Sequence, residues 1–301
     1  MKSELVERVA ELLRSAAFEV SICSGMQSCF DVIAKKEKTI LIKVLTNVEG
    51  LTDKHASDLK ALASLLGASP LVISERMKSS KLSDGVVYTR YDLQIMNAKT
   101  FENVISGNFP HVHSVRGNYC MSINPKGLSK LRQKLNLTQQ DLADRLNISK
   151  QSIYRYEHTG KISLDVAEKL MQIFEENLLA QDEFLVSTKF RSEMAALDQY
   201  LTELQRIVVK EFKEIGFRTS VTNAPFDVLA KENEMVFTIA SDDSRRLEKK
   251  AALVTEISEM FDAYKLCISN RRQDLEIVVM KPGELGEVRN PRELIRILKK
   301  E

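Results

Sequence analysis

Two pairs of segments in this 301-residue chain repeat each other at an almost constant separation. Phe30-Asp-Val-Ile-Ala-Lys35 recurs as Phe226-Asp-Val-Leu-Ala-Lys231, and Leu71-Val-Ile-Ser-Glu-Arg76 recurs as Leu266-Cys-Ile-Ser-Asn-Arg271. The separations, 196 and 195 residues, agree within one residue. Because self-similarity at a fixed spacing indicates a duplicated structural unit, we predict one copy of that unit near each end of the chain.

The hydrophobic pattern of the first copy predicts an alternation of helices and strands. The expected order is helix, three strands, helix and strand, at residues 2–16, 18–23, 29–35, 39–45, 53–66 and 71–74. A strand at 86–89 and a short helix near 100–105 follow. The second copy shows matching elements, at residues 204–215, 244–261, 276–280 and 291–298. The repeated unit is therefore predicted to be an α/β domain.

These patterns predict a multi-domain protein that combines α/β domains at both ends with an all-α bundle in the centre. The predicted domains are an α/β domain at 1–108, a linker with a short strand at 109–123, a helix-turn-helix domain at 124–180 and the second α/β repeat at 181–301. The helical pattern from Glu175 to Ala196 is expected to bridge the last two domains.

The central stretch 137–157 has the pattern of two short helices joined by a tight turn. Thr138 is placed to cap the first helix, with Asp141 three residues later as a capping-box partner. Asn147 stands where the chain must reverse, and asparagine tolerates the left-handed conformation that ends a helix. Ser149 is placed to cap the second helix, so the stretch is predicted to be a helix-turn-helix.

The same stretch resembles the Cro-like phage-repressor family. The resemblance is carried by Leu137-Thr138-Gln139, Ala143, Leu146, Ser149, Ile153, Tyr156 and Glu157. The family usually has Gly two residues after the Glu, whereas this chain has Thr159 there and Gly160 next. The alternative is a pair of helices used only for packing. The resemblance implies DNA binding, through Gln139, Ser149, Lys150, Gln151, Ser152, Tyr154 and Arg155.

Charge is distributed in a way that fits this interpretation. The net charge of the whole chain is only +2, but residues 122–161 contain eight Lys or Arg against three acids, a local net charge of +5. A basic patch confined to the motif is typical of a nucleic-acid-binding surface. A basic surface without a partner is the simpler alternative for so modest an excess.

Other features of the sequence exclude several classes of protein. The four cysteines match no zinc or redox spacing, which is typical of a reduced cytosolic protein. The N-terminal residues form an amphipathic helix pattern rather than a signal peptide, and no apolar run approaches the roughly 18 residues of a membrane span. His111, His113 and Cys120 lack a fourth ligand in register. We therefore expect a cytoplasmic protein with no membrane contact, no metal and no cofactor.

The repeated unit also resembles the restriction-endonuclease and Holliday-junction-resolvase family. In that family an Asp on the second strand and a Glu-x-Lys on the third hold a divalent metal ion. Asp31 occupies the first position, but strand 39–45 contains no acid. Either Lys43 replaces the carboxylate and Leu45 the lysine, or Lys43 is the lysine and Leu41 stands in the carboxylate position. Both registers leave the metal one ligand short, because Mg²⁺ requires hard oxygen ligands.

The second copy also lacks the residues that would complete a metal site. After Asp227, its next strand, at residues 234–240, does not contain the Glu-x-Lys pattern. Glu4 or Glu7 of the first helix offers an alternative acid, but both fit its solvated face better. We predict two degenerate, non-catalytic scaffolds that serve dimerisation, DNA-backbone contact or ligand sensing. Asp31 and Asp227 are expected to be structural, with Lys43 as a partner for Asp31.

The whole arrangement resembles an archaeal family of helix-turn-helix transcriptional regulators. It implies a sequence-specific DNA-binding regulator rather than an enzyme. Since one motif reads only a few base pairs, we expect a homodimer on a two-fold site in double-stranded DNA. Two alternatives stay open: a metal-dependent nuclease or resolvase, which requires Mg²⁺ for cleavage, and a non-catalytic interaction scaffold, which has no DNA preference. No small-molecule effector is indicated.

Overall fold

The computed structural model describes residues 1–299 apart from 24, 27, 116, 175–200, 223 and 272. The chain divides into two compact units, one formed by residues 1–72 and 185–301 and the other by residues 73–184. These limits differ from the predicted domain boundaries, because both α/β copies fall into the first unit. The predicted bridging helix at 175–196 lies outside the described residues.

The first α/β copy consists of a helix, three strands, a helix and a strand. Its elements are α1 (Lys2–Ser15), β1 (Glu19–Ile22), β2 (Val32–Lys35), β3 (Thr39–Leu45), a 3₁₀ turn (Val48–Gly50), α2 (Asp53–Leu66) and β4 (Ser69–Ser74). The strand order is β1-β2-β3-β4, and the first two pairings are antiparallel. Thr52 caps α2 by accepting the N–H of His55, and Gly67 ends the helix in the left-handed conformation.

The second unit joins further strands to the helix-turn-helix segment. Its elements are β5 (Arg76–Met77), β6 (Ser80–Lys81), β7 (Val86–Arg90), β8 (Leu93–Met96), α3 (Ala98–Ile105), β9 (Val112–Val115), β10 (Asn118–Ser122), α4 (Pro125–Lys134), α5 (Gln139–Leu146), α6 (Lys150–Thr159), β11 (Lys161–Ser163) and α7 (Leu164–Phe174). Strands β8, β7, β9, β10 and β11 follow one another in that order.

Within the segment predicted as a linker with a short strand, residues 109–123, strands β9 and β10 pair as a β-hairpin that has partners on both sides. Its strand β9 pairs with β7 in parallel, and its strand β10 pairs with β11 in antiparallel orientation. Because β11 directly follows α6, the hairpin hydrogen-bonds the helix-turn-helix bundle to β7. The bundle is thus part of a sheet within the second unit rather than a module on a free linker.

The second α/β copy repeats the element order of the first. Its elements are α8 (Glu203–Ile215), β12 (Arg218–Val221), β13 (Val228–Lys231), β14 (Met235–Ala240), α9 (Ser244–Met260), β15 (Tyr264–Ile268), β16 (Val278–Met280), α10 (Pro282–Gly286) and α11 (Pro291–Leu298). The strand order is β12-β13-β14-β15-β16, antiparallel up to β14 and parallel beyond it. Helix α8 packs Val208 and Phe212, both fully buried, into the core that this sheet shares with α11.

The two α/β copies contact each other through matched residues. Lys35, at the end of β2, donates from Nζ to the carbonyl oxygen of Met260, the last residue of α9, at 2.6 Å. Lys231, at the end of β13, donates from Nζ to the carbonyl oxygen of Leu65, in the last turn of α2, at 3.0 Å. Lysine and acceptor are separated from their counterparts by 196 and 195 residues, as in the sequence repeat. The contact therefore has approximate two-fold symmetry.

Phenylalanines from the two copies meet in the same contact. Phe30 and Phe226 are both fully buried, and their ring centroids are 6.4 Å apart. These residues open the two copies of the repeated hexapeptide, so each ring meets its own counterpart. Lys35 adds a contact over the ring of Phe261, with Nζ 5.1 Å from the centroid.

A buried acid on α2 predicts a pH dependence of stability. Asp58 is only 3% exposed, and its Oδ1 has no hydrogen-bond partner among the described residues. Burial raises the pKa of Asp58, although Lys54 and His55 act in the opposite direction. Its carboxyl is neutral in both states at pH values below the unfolded-state pKa. As the pH rises through that value the unfolded state loses the proton first, and the folded state loses stability.

We therefore expect Asp58→Asn to raise the melting temperature at pH 7 and to have little effect near pH 3. Thermal denaturation followed by circular dichroism across this range measures the difference. Asp53→Asn, on the exposed first turn of the same helix, is the control. An Asp58→Asn protein that is less stable than wild type at pH 7 would contradict this expectation.

Candidate nucleic-acid interface

Helix α5 begins with the predicted reciprocal cap. Thr138 donates its N–H to Asp141 Oδ2 at 2.8 Å, and its Oγ1 accepts the N–H of Asp141 at 3.1 Å. The Thr138 hydroxyl also donates to Asp141 Oδ2. This bond, together with the bond from the Thr138 N–H, lowers the pKa of Asp141. The carboxylate is thus charged at neutral pH, beside the positive end of the helix. The cap weakens only when the pH falls through this lowered pKa.

The turn between α5 and α6 also follows the prediction. Asn147 adopts the left-handed conformation at φ 54° and ψ 50° and ends α5. Ser149 then caps α6 by accepting the N–H of Ser152 at 3.1 Å. The hydroxyls of these two serines lie 3.0 Å apart, so they also hydrogen-bond each other. Both predicted DNA-binding serines therefore hold the start of α6, and Ser149 stays exposed there.

The inward face of α6 packs the two helices together. Ile153 is fully buried and Tyr156 is 6% exposed, and both belong to one core with Leu142 and Ala143 of α5. Ala143 is a small residue with no exposed surface in this core. This core orients α6, so the remaining faces of the helix have defined directions.

The outward face of α6 carries the predicted DNA-contacting side chains. Lys150, Gln151, Tyr154 and Arg155 are all exposed, and Tyr154 retains 56% of its accessible surface. The Arg155 guanidinium lies over the ring of Tyr156, with Cζ 5.4 Å from the centroid. Two cationic groups and one amide thus project from a helix that is held in place by its buried face.

Gln139 is placed differently from the other predicted residues. It is half-buried at the start of α5, and its Nε2 donates to Glu157 Oε2 at 2.7 Å. A primary amide nitrogen carries two hydrogens, so this bond uses one of them and leaves one for another acceptor. Gln139 therefore links α5 to α6.

A largely buried ion pair that the sequence pattern did not identify completes this link. Arg132 on α4 donates from Nε to Glu157 Oε1 at 2.6 Å and from Nη2 to Oε2 at 3.3 Å. Its Nη1 donates to the carbonyl oxygen of Leu137 at 2.8 Å. The side chains of Arg132 and Glu157 are 11% and 6% exposed. The signal in the sequence that could have located this pair is Glu157, an acid that directly follows the inward-facing Tyr156, since an acid with little exposure requires a partner.

This ion pair corrects the interpretation of the local charge. The Arg132 side chain is only 11% exposed and pairs with Glu157, so it contributes little to the basic surface. The other seven basic residues of the 122–161 segment are exposed. They are Lys126, Lys130, Lys134, Arg145, Lys150, Arg155 and Lys161.

Gly160 ends α6 in place of the glycine that the family usually has at the position of Thr159. It ends the helix in the left-handed conformation at φ 67°, one residue later than the family has its glycine. A Cβ at this position would lie 2.5 Å from the carbonyl oxygen of Ile123. The N–H of Ile123 donates to the Gly160 carbonyl at 2.7 Å, so the two backbones are held together here.

We expect Gly160→Ala to destabilise the bundle by more than the roughly 1–2 kcal/mol that the left-handed conformation alone costs. The excess comes from the clash with a backbone atom that cannot rotate away. Gly117→Ala is the matched control, because Gly117 also has a positive φ but nothing lies within 4 Å of its Cβ position. Equal losses of stability in the two variants, measured by chemical denaturation, would contradict the clash.

The carboxylate of Asp31, in the first α/β copy, is paired with groups of the protein itself. Its Oδ1 pairs with Lys2 Nζ at 2.7 Å, and its Oδ2 lies 3.3 Å from Lys43 Nζ. The N–H of Val44 donates to Oδ2 at 2.8 Å, which ties the carboxylate to β3. The predicted pairing of Asp31 with Lys43 is confirmed. A divalent metal ion does not fit here, because an ammonium group stands where a second carboxylate is needed.

Asp227 of the second copy has the same kind of environment. Both of its carboxylate oxygens accept from Lys250 Nζ, at 3.0 and 3.1 Å, and Gln205 Nε2 donates to Oδ1 at 3.2 Å. The N–H of Ala240 donates to Oδ2 at 2.9 Å, the counterpart of the Val44 contact. Across the described ranges of the chain, no three His, Cys, Asp or Glu side chains are grouped to hold a metal ion. Glu4 and Glu7 are exposed on α1.

Comparisons with known protein families match both the N-terminal α/β part of the chain and the helix-turn-helix segment. Residues 2–110 match the family model for a PD-(D/E)XK superfamily domain, and residues 128–179 match the model for a helix-turn-helix. No solved structure matches the chain. None of the helices within the described residues is long and apolar enough to cross a membrane.

Curated relatives named "Putative HTH-type transcriptional regulatory protein" match along nearly their whole length. The relative from Archaeoglobus fulgidus is 31% identical over 306 residues, which cover 99% of this chain and 98% of the relative. The relative from Thermococcus gammatolerans is 30% identical over 307 residues, covering 99% and 96%. The relative from Methanocaldococcus jannaschii is 29% identical over 310 residues, covering 99% and 97%. The chain belongs to the archaeal family of HTH-type transcriptional regulatory proteins that these relatives represent.

Proposed function

We propose that the protein is a sequence-specific regulator of transcription that reads the major groove of double-stranded DNA with α6. The observation that carries this proposal is the outward face of α6, where Lys150, Gln151 and Arg155 are exposed on a helix fixed by its buried side. Arg and Lys bind guanine and Gln binds adenine through the hydrogen-bonding groups of the base edges. The three side chains therefore suffice to read a short half-site.

The start of α5 supplies the contact that sets the register on the DNA backbone. The free N–H groups of a helix N-terminus attract phosphate, and Gln139 retains one amide hydrogen for it. Because Glu157 already holds this amide, its orientation is fixed before DNA binds. Ser149 and Ser152 act by holding the N-terminus of α6, and the exposed basic residues add attraction that depends on salt.

A single motif buries too little surface for tight and selective binding. We therefore expect two chains to bind a two-fold operator as a homodimer, with half-sites about one helical turn apart. We place this activity in the cytoplasm.

We also propose that the protein is not an enzyme, although its first 110 residues match a nuclease-related domain. The support is the pairing of Asp31 with two lysines and of Asp227 with one, because catalysis requires site residues as well as a fold. Incubating the protein with linear and branched DNA and Mg²⁺ tests this proposal. Cleavage that is lost in Asp31→Asn would overturn it.

Arg155→Ala is expected to weaken binding to a selected operator by about 1–3 kcal/mol, roughly fivefold to 150-fold in Kd, and to relax selectivity at one base pair. The operator is obtained by sequencing DNA fragments retained from a genomic library, and Kd is measured by fluorescence anisotropy. Lys210→Ala, an exposed lysine of the first unit, is the control with unchanged Kd. Unaltered affinity and selectivity of Arg155→Ala would remove this residue from the interface.

A further inference from the structure

We infer that the two α/β copies constitute a fused dimer, in which the surface of each copy is occupied by the other copy of the same chain. Lys35 and Lys231 make the same contact with matched helix ends, and Phe30 meets Phe226. In an isologous contact, residue i touches j and the counterpart of i touches the counterpart of j. The contact between the copies satisfies this criterion, and the inference does not depend on the proposed function.

The chemistry of the contact explains why the lysines are used. Carbonyl groups at the C-terminal end of a helix carry partial negative charge, and a lysine ammonium there is stabilising. Each copy thus contributes one lysine ammonium group and the C-terminal end of one helix to the contact. Burial lowers the pKa of Lys231, so its ammonium has lost part of its water. Phe261, the residue after α9, is buried beneath Lys35 and extends the contact with an aromatic face.

A two-fold contact is closed once both halves are present. A second chain therefore finds this surface already covered, and the proposed homodimer on DNA has to form through other residues. An exchange of copies between two chains would produce the same contacts with different connectivity. The connectivity is consequently what the experiment must determine.

Crosslinking of paired cysteines determines it. Lys36→Cys and Asp262→Cys place exposed thiols next to the two sides of the Lys35 contact. The background carries Cys120→Ser, because the other native thiols are buried, and burial raises the pKa of Cys29 and Cys267 to about 12. The full-length double variant is co-expressed in a tagged and an untagged form and treated with a bis-maleimide. Asp262→Cys alone is the control, which can crosslink only between chains.

We expect a crosslink within single chains, seen as faster migration at the mass of one chain plus one linker and as a linked peptide pair joining residues 36 and 262. A product that joins tagged to untagged chains only in the double variant would overturn the inference in favour of exchanged copies. Absence of any crosslink would overturn the pairing itself.

A second inference concerns Tyr154 and rests on the proposed function. We propose that the Tyr154 ring reads the 5-methyl group of a thymine and that His158 is its positioning residue. The two rings are stacked with centroids 4.0 Å apart and planes inclined by 32°. His158 Nδ1 lies 2.7 Å from the carbonyl oxygen of Tyr154, so the imidazole is fixed against the helix.

Thymine is the base that presents a methyl group in the major groove, and apolar side-chain surface recognises it. Tyr154 lies one turn after Gln151, on the side of α6 that we assign to base contacts. A ring that is already stacked on His158 loses little freedom on binding, which favours its use as a rigid contact.

Replacing each thymine of the selected operator by deoxyuridine removes one methyl group at a time. We expect one position per half-site at which this replacement weakens wild-type binding about fourfold, the value of one buried methyl-sized group. Tyr154→Ala should be insensitive there, and His158→Phe should retain more sensitivity than His158→Ala. Equal responses of wild type and Tyr154→Ala at every thymine would overturn the inference. If no operator is selected at all, the proposed function fails instead.

Discussion

Replacing Glu157 with alanine is expected to lower the free energy of unfolding of the helix-turn-helix bundle by about 3–5 kcal/mol. The substitution leaves Arg132 charged and 11% exposed without its carboxylate partner. It also frees the Gln139 amide that links α5 to α6. Since α4, α5 and α6 all meet at Glu157, operator binding should be lost together with stability.

Hydrogen exchange of the α6 amides measures this effect within one unit of a two-unit protein. The double variant Arg132→Met/Glu157→Leu should recover most of the lost stability, because it removes both buried charges. Lys169→Ala is the control, since Lys169 pairs with Asp165 at an exposed site and is worth about 0–1 kcal/mol. If Glu157→Ala behaves like this control, the buried pair does not stabilise the bundle.

Phe226→Ala and Phe30→Ala are each expected to cost about 3–5 kcal/mol, because a fully buried ring is replaced by a cavity. The two rings contact each other, so the double variant should lose less than the sum of the two single losses. Chemical denaturation of the four proteins completes a double-mutant cycle across the contact between the α/β copies.

Phe101 provides the control for this cycle. It is also fully buried, but it lies in the second unit on α3. Losses from Phe30→Ala and Phe101→Ala should add. An additive Phe30/Phe226 pair would show that the copies do not share a core in solution.

The elements that were predicted within a residue or two are those with strong local signals. Strand β3 and helix α2 have the predicted bounds, because five of the seven strand residues are apolar and because Thr52 and Gly67 cap the two ends of the helix. The caps at Thr138 and Ser149 can be predicted equally well, since a cap depends on residues three positions apart.

Features that depend on distant residues were missed. Strands β8, β9 and β11 have three or four residues each, and their pairing partners rather than their own sequences make them strands. The role of Arg132 was misjudged because nothing within α4 distinguishes it from the exposed lysines beside it. Its partner, Glu157, lies 25 residues away. Local pattern identifies a cationic residue, and only packing decides whether that residue faces water or an acid.

The hairpin of β9 and β10 fixes the register between β7 and β11, the strand that follows α6. Side chains alternate between the two faces of a strand, so a ladder can slip only in steps of two residues without exchanging its buried face. Two residues correspond to about 7 Å along a strand. Any change of register between β7 and β11 would therefore displace the strand that follows α6 by at least about this distance.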